Sequence, residues 1–406
     1  MEAKSSLIES FGLMFKINQF IGACPFYALV DETTHYEIVT PMSLKTYLGL
    51  TTLATLFCAT LLSIGLFISS TQCGLSLLLV FKILIFEIND TNTDALIWGI
   101  SWINVFSGML LIQMKTYRLT RYLPEWHLDY ANCVSRLTLK KPKIDAKIKS
   151  RYYLTVFCFS LAFTKIAIGL HLFLCEFSKT QYIVHFPLFI AILIEALYLV
   201  SHVHNYGSLY GECAGNLAIW ANLLAERMNK RQIQSVLSED LNECLKLHKS
   251  LLGASKTFSP QLGIGLNLNV INLIFIFYRV LAFFIGDYEH TLSMILIQLG
   301  FGSVGLELIA FALYFNMTSQ HVIDEVKKLI NVLEQLPIQV CHQACLENNH
   351  HPGLYAREYV TKKLESFNGF AAGNFVKLNR DLLSGIAAIF VTYVIVLIQF
   401  KLSEKP

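Results

Sequence analysis

Apolar residues along this chain gather into seven long runs separated by polar stretches. A run of roughly 20 apolar residues, rising about 1.5 Å each as a helix, crosses a hydrocarbon core of about 30 Å. Runs of this kind extend from Leu48 to Ser69, Ala95 to Lys115, Tyr152 to Cys175, Tyr182 to His204, Gly263 to Phe284, Thr291 to Tyr314 and Leu382 to Phe400. An eighth, Cys73 to Ile88, is shorter and carries Lys82 and Glu87, so it reads as an outer-surface element. The pattern predicts an all-α polytopic membrane protein with seven transmembrane helices.

The polar stretches predict its orientation. Basic loops are retained on the cytoplasmic side. With the amino terminus inside, 26 of the 32 lysines and arginines fall on inner segments, including ten between Lys115 and Arg151. The carboxyl terminus is then extracellular, the reverse of a G-protein-coupled receptor. The sequon at Asn89 falls on an outer loop open to glycosylation, whereas the one at Asn316 falls inside and is expected to be silent.

Two inner segments, 205–262 and 315–381, dwarf the outer loops. Both carry helical periodicity: Val322, Val326, Leu329, Leu333 and Leu336 in one, and Leu237, Leu241, Leu245, His248 and Leu252 in the other. They predict long cytosolic helical extensions that pack together; solvated amphipathic linkers are the alternative. The domains expected are a cytosolic amino-terminal segment (1–47) holding a short amphipathic helix, a transmembrane body (48–314), cytosolic anchor helices (315–381) and a seventh helix with a short extracellular tail (382–406). The first 46 residues hold no signal-peptide pattern, since Lys16 and Pro25 break their apolar stretch.

Composition agrees with lipid as solvent. Hydrophobic residues make up 54% of the chain and charged residues 15%, with a mean hydropathy of +0.51, against about 45–50% and 25% in soluble domains. No nucleotide loop, zinc-hydrolase helix or nucleophile elbow is present, so no enzymatic chemistry, cofactor or nucleic-acid partner is expected. The ten cysteines are scattered; Cys73 and Cys175 both lie near the outer face, where a disulfide is conceivable. Cys341, His342, Cys345, His350 and His351 are ligand types in a spacing that fits no standard zinc site, and no metal is expected.

Ionisable side chains inside spans are costly and are candidates for function. Lys165 and Glu195 lie on antiparallel neighbouring spans within about 4.5 Å in height, which predicts a structural ion pair. Arg279 lies near the outer end of span five, and Glu307 sits far deeper on span six. Trp98, Trp102, His171, Tyr278 and Gln298 lie at or near the level of Arg279 in the outer leaflet. Aromatic walls with a few polar groups suit a small-molecule pocket; an interfacial aromatic belt facing lipid is the other reading.

On the last helix, Gly385, Ala388, Thr392, Val396 and Gln399 form one small, weakly polar stripe flanked by Ile, Val and Leu. Such a stripe lines a pore at a symmetry axis or packs closely against another helix. Its end reads Thr392-Tyr393, five aliphatics, then Gln399-Phe400, preceded by Gly373-Asn374-Phe375, Leu378 and Leu382-Leu383. That string resembles the signature of the last helix of the insect gustatory receptor family, relatives of the insect odorant receptors.

The resemblance implies a chemosensory receptor that is a ligand-gated non-selective cation channel, a homotetramer or a heterotetramer with related receptors, in the plasma membrane of sensory neurons. It implies an outer-leaflet ligand pocket between spans two and six, a pore lined by helix seven from four subunits, and permeation of sodium, potassium and calcium. Phe400 would be the apolar plug and Gln399 the polar group presented on opening. Thr392 and Tyr393 would pack and hydrogen-bond at mid-helix, and Asp381 would attract cations at the inner mouth beside the offsetting Arg380. Sugar-sensing branches carry an acid after the Thr-Tyr pair; here Val394 stands there, which weakens a sugar as tastant and leaves bitter compounds and other organics. A metabotropic seven-helix receptor and a transporter are the alternative readings.

Overall fold

The computed structural model describes residues 26–30, 37–41, single positions between 160 and 211, and then 213–230, 238–285, 292–335 and 353–403 apart from 374 and 375. Helix dominates. Helix α1 covers 213–230; α2 runs Ser238–Ile285, α3 Leu292–Gln335, α4 Gly353–Glu365 and α5 Arg380–Ser403. Strands β1 (Phe26–Val30) and β2 (Glu37–Pro41) pair antiparallel, as do β3 (Phe370–Ala372) and β4 (Val376–Leu378). The hydropathy pattern signals neither hairpin. Within 1–47 the described residues are those of β1 and β2, and the rest of the segment, where an amphipathic helix is expected, lies outside the described residues.

At 48 and 44 residues, α2 and α3 reach roughly 72 and 66 Å. Each joins a predicted span to a predicted cytosolic extension without a break. The acids Glu239 and Asp240 suit the first turn of α2, where the helix dipole favours negative charge. Pro260 lies inside α2 and removes one backbone donor from its ladder, a point where helices bend.

One core joins α1, the first half of α2, the second half of α3, α4 and the β3–β4 hairpin. From Tyr210, just ahead of α1, the buried positions Ala214, Leu217, Ala221, Leu224 and Met228 along the helix continue a four-three rhythm. On α3, Val322, Val326, Leu329 and Leu333 are buried, which rules out a solvated linker there. On α2 the buried ridge is Leu241, Cys244, Leu247, Leu251, Ala254 and Phe258. The ridge expected there is corrected at Leu252, which is 46% exposed because the helix turns its neighbour Leu251 inward. Leu237 and Leu336 lie outside the described residues.

Tyr210 stands at the centre of this core, edge-on to Phe258, Phe315 and Phe370 at ring distances of 5.5, 5.1 and 5.3 Å. Such pairs add to burial because the ring edge is positive and the face negative. Burial pushes the Tyr210 phenol well above its ordinary pKa, partly offset by Ser319 beside it.

Among the described residues no helix is long and apolar enough to cross a membrane. The outward face of α3 nevertheless carries a long apolar stripe: Leu292, Ile295, Leu299, Leu306, Ile309, Leu313 and Met317 are all exposed, over roughly 37 Å. Beyond Met317 the exposed positions become His321, Lys327, Lys328, Asn331 and Glu334. The switch falls within one turn, close to the end of predicted span six.

Candidate functional site

Opposite its apolar stripe, α3 turns a polar face inward. Gln298, Ser303, Glu307 and Asn316 are buried, as are Leu308 and Phe311 of the same helix and Ile276 of α2. The two helices approach closely at Gly305, where an added Cβ would sit 3.4 Å from the Ile276 side chain. Gln298, 9% exposed, is therefore turned into the protein rather than out to an aromatic belt. Its Oε1 has no hydrogen-bond partner, and a buried acceptor left so costs about 1–3 kcal/mol. An acceptor held at that cost is suited to receive a donor from a bound molecule or a water.

Asn316, 1% exposed, has neither amide atom partnered. Its burial closes the second sequon to glycosylation in the folded protein. Tyr278 and Arg279 lie on α2, of which the structure describes the helical backbone at those positions. Trp98, Trp102, His171, Asn89, Lys165, Glu195, Cys73, Cys175 and the Cys341–His351 cluster lie outside the described residues. No metal-binding cluster occurs among the described residues.

The second component is α5. Gly385, Ala388, Thr392, Val396 and Gln399 are all exposed, as are Val391 and Ile395 beside them. Nothing lies within 4 Å of a Cβ built on Gly385. The Thr392 hydroxyl donates to the Ala388 carbonyl of its own helix at 2.8 Å, so it is satisfied without a partner helix. For Tyr393 and Phe400 the helical backbone is described. The stripe read from sequence is thus an uncovered face of the single chain, roughly 21 Å long.

The start of α5 is held with care. Asn379 Oδ1 accepts the Leu382 N–H at 3.2 Å, an N-cap, and Gln320 Oε1 on α3 accepts the Arg380 N–H at 3.1 Å. Sequence reasoning missed both. The Asn three residues ahead of the Leu382-Leu383 run is a helix-start signal that could have shown the first; the second joins residues 60 apart and has no local signature. Helix α1 falls within the segment 205–262 expected to be helical, although its own ridge from Tyr210 to Met228 was not singled out.

The fold defined by these elements, long helices that share a core with a short hairpin ahead of a final helix, is similar to that of solved insect olfactory receptor structures. The chain is similar to the structure of the olfactory receptor OR5 from Machilis hrabei, with a TM-score of 0.59 over 95% of this chain and 97% of that one at 10% identity. It is similar in the same way to OR5 in complex with eugenol, with a TM-score of 0.58 over 97% and 98% of the two chains at 9% identity. No family model matches the sequence, and no curated protein does.

Proposed function

We propose that this chain is a subunit of a chemosensory ligand-gated, non-selective cation channel of gustatory type, resident in the plasma membrane and opened by a small organic tastant. The observation that carries this reading is the uncovered stripe of α5. A face alternating small, hydroxyl and amide groups is poorly suited to lipid, and it is well suited to surround a water-filled axis with the same face of other subunits.

Two further features support it. The apolar stripe of α3 has the length of a bilayer and ends where charge begins, as a helix leaving lipid would. Gln298, expected from the sequence to line a ligand pocket, is buried with an unpartnered acceptor, and OR5, to whose fold this chain is similar, is found in complex with eugenol. Opening follows from differential binding: an agonist that fits the open form better shifts the equilibrium by that difference. Gln399 and Phe400 form the gate, Val396 and Thr392 line the pore below it, and Tyr393 packs behind. Seven spans, an inside amino terminus and a homotetramer or mixed tetramer complete the proposal.

Whole-cell recording from cells expressing this chain, challenged with sugars, bitter compounds and other small organics beside Phe400→Ala, tests it. Agonist-evoked cation current, with leak or altered gating in the variant, is expected. Currents unchanged by the substitution would remove Phe400 from the gate. Absence of current with surface expression confirmed, alone and with related receptors, would remove the channel.

A further inference from the structure

The β3–β4 hairpin sits immediately before the last helix, and its strands are only three residues long. A lone two-stranded hairpin is marginal in water. Its position is therefore set by what holds it, and two helices do.

From α2, Ser255 Oγ accepts the Ala371 N–H at 3.0 Å. Ser259 engages Gly373 twice: its Oγ donates to the Gly373 carbonyl at 2.9 Å and its own carbonyl accepts the Gly373 N–H at 2.8 Å. The backbones approach so closely that a Cβ on Gly263 would lie 2.5 Å from Gly373 N.

From α3, Ser319 reaches both strands at once. Its Oγ donates to the Leu378 carbonyl at 2.5 Å and accepts the Phe370 N–H at 3.1 Å. Phe370 and Leu378 are the pair that closes the ladder, and Ser319 is fully buried. The next residue, Gln320, accepts the N–H of Arg380, the first residue of α5. Its amide is oriented by a second bond, Nε2 donating to Asp324 Oδ1 at 2.8 Å.

We propose that Ser319 and Gln320 are positioning residues that seat the first turn of the last helix on α3, so that α5 takes its starting position from the helix that also carries Gln298. The two levels of α3 are roughly 31 Å apart on one unbroken helix. A shift or rotation of α3 at the upper level moves both hydrogen-bonding groups below, and with them the hairpin and the Arg380 end of α5. Neither residue faces the exposed stripe of α5. The consequence for gating rests on the channel reading above; the seating itself does not.

The test is amide hydrogen exchange on the purified full chain, comparing the native protein with Gln320→Ala and Ser319→Ala. Gln320 is only half-buried, so its replacement leaves the core intact. Loss of one seating bond is expected to speed exchange over residues 380–384 by about 5-fold, equivalent to about 1 kcal/mol, with 322–333 unchanged. Ser319→Ala is expected to extend the effect to 370–378. Unchanged exchange at 380–384 in both variants overturns the proposal. Equal acceleration over 322–333 also overturns it, by reducing both residues to ordinary stabilisers of the fold. Recording the same variants separates the two readings: where the native chain conducts, Gln320→Ala is expected to shift the half-activating agonist concentration several-fold without altering ion selectivity. A native chain that never conducts counts against the channel alone, and exchange still decides the seating.

Discussion

Arg227 Nε on α1 stands 3.2 Å from Asp240 Oδ1 in the first turn of α2, and the Asp240 side chain is fully buried while that of Arg227 is 23% exposed. The pair ties the last turn of α1 to the first turn of α2. Removing only the cation leaves a carboxylate desolvated, which costs far more than an exposed ion pair is worth. Arg227→Ala is expected to destabilise the protein by about 3 kcal/mol, read as earlier thermal unfolding of the detergent-solubilised chain. The double replacement Arg227→Met with Asp240→Leu is expected to recover most of that loss.

Tyr210 separates packing from hydrogen bonding. Its hydroxyl donates to the Phe315 carbonyl at 3.2 Å, and its ring is wholly buried. Tyr210→Phe keeps the ring contacts and is expected to cost about 1 kcal/mol, whereas Tyr210→Ala opens a cavity at the junction of three rings and is expected to cost about 3–5 kcal/mol. Thermal unfolding of the two variants gives the comparison directly.

Acid is expected to loosen α4 from α2. His248 is nearly buried, its Nε2 stands 3.2 Å from Ser366 Oγ, and its pKa is lowered first by burial and then by the Lys363 ammonium. The unfolded chain therefore binds a proton that the folded chain resists. Stability falls as pH drops through the ordinary histidine range near about 6.5 and goes on falling until the folded pKa is reached. Melting curves between pH 7.5 and 5.5 are expected to slope down with acid in the native chain and to lose part of that slope in His248→Gln.

Glycine at 369 is a steric requirement. Its φ is +118°, and an added Cβ would lie 2.6 Å from the Leu378 carbonyl oxygen and 3.3 Å from Ser319 Oγ. Gly369→Ala is expected to cost about 1–3 kcal/mol and to displace the carbonyl that Ser319 binds. Limited proteolysis within 366–380 reads that displacement, with faster cleavage than in the native chain as the expected result.

Local pattern was enough for most of the helices. The four-three rhythm of Val322 to Leu333 is written in consecutive residues, because a helix exposes its period wherever one stripe is buried. The stripe from Gly385 to Gln399 was legible for the same reason, since helical spacing alone gathers those five residues on one face. On α2 the rhythm was read one position out of phase at Leu252: Leu251 and Leu252 are equally apolar, and only the neighbours choose between them.

The sequence by itself determined the helical, apolar character of this protein, the stripe on its last helix and the polar segments rich in lysine and arginine between its apolar runs. Each of these depends on composition or on spacing within a single element. Tertiary structure decided what joins those elements. Ser255, Ser259, Ser319 and Gln320 are ordinary polar residues at unremarkable positions until folding sets them against a six-bond site on the hairpin and the head of α5. Gln298 likewise suits a belt or a pocket until the packing of α3 on α2 turns it inward. Such meetings link residues 50 to more than 100 positions apart, and no local spacing encodes them, because the partner is specified by the path of the chain and not by its neighbours.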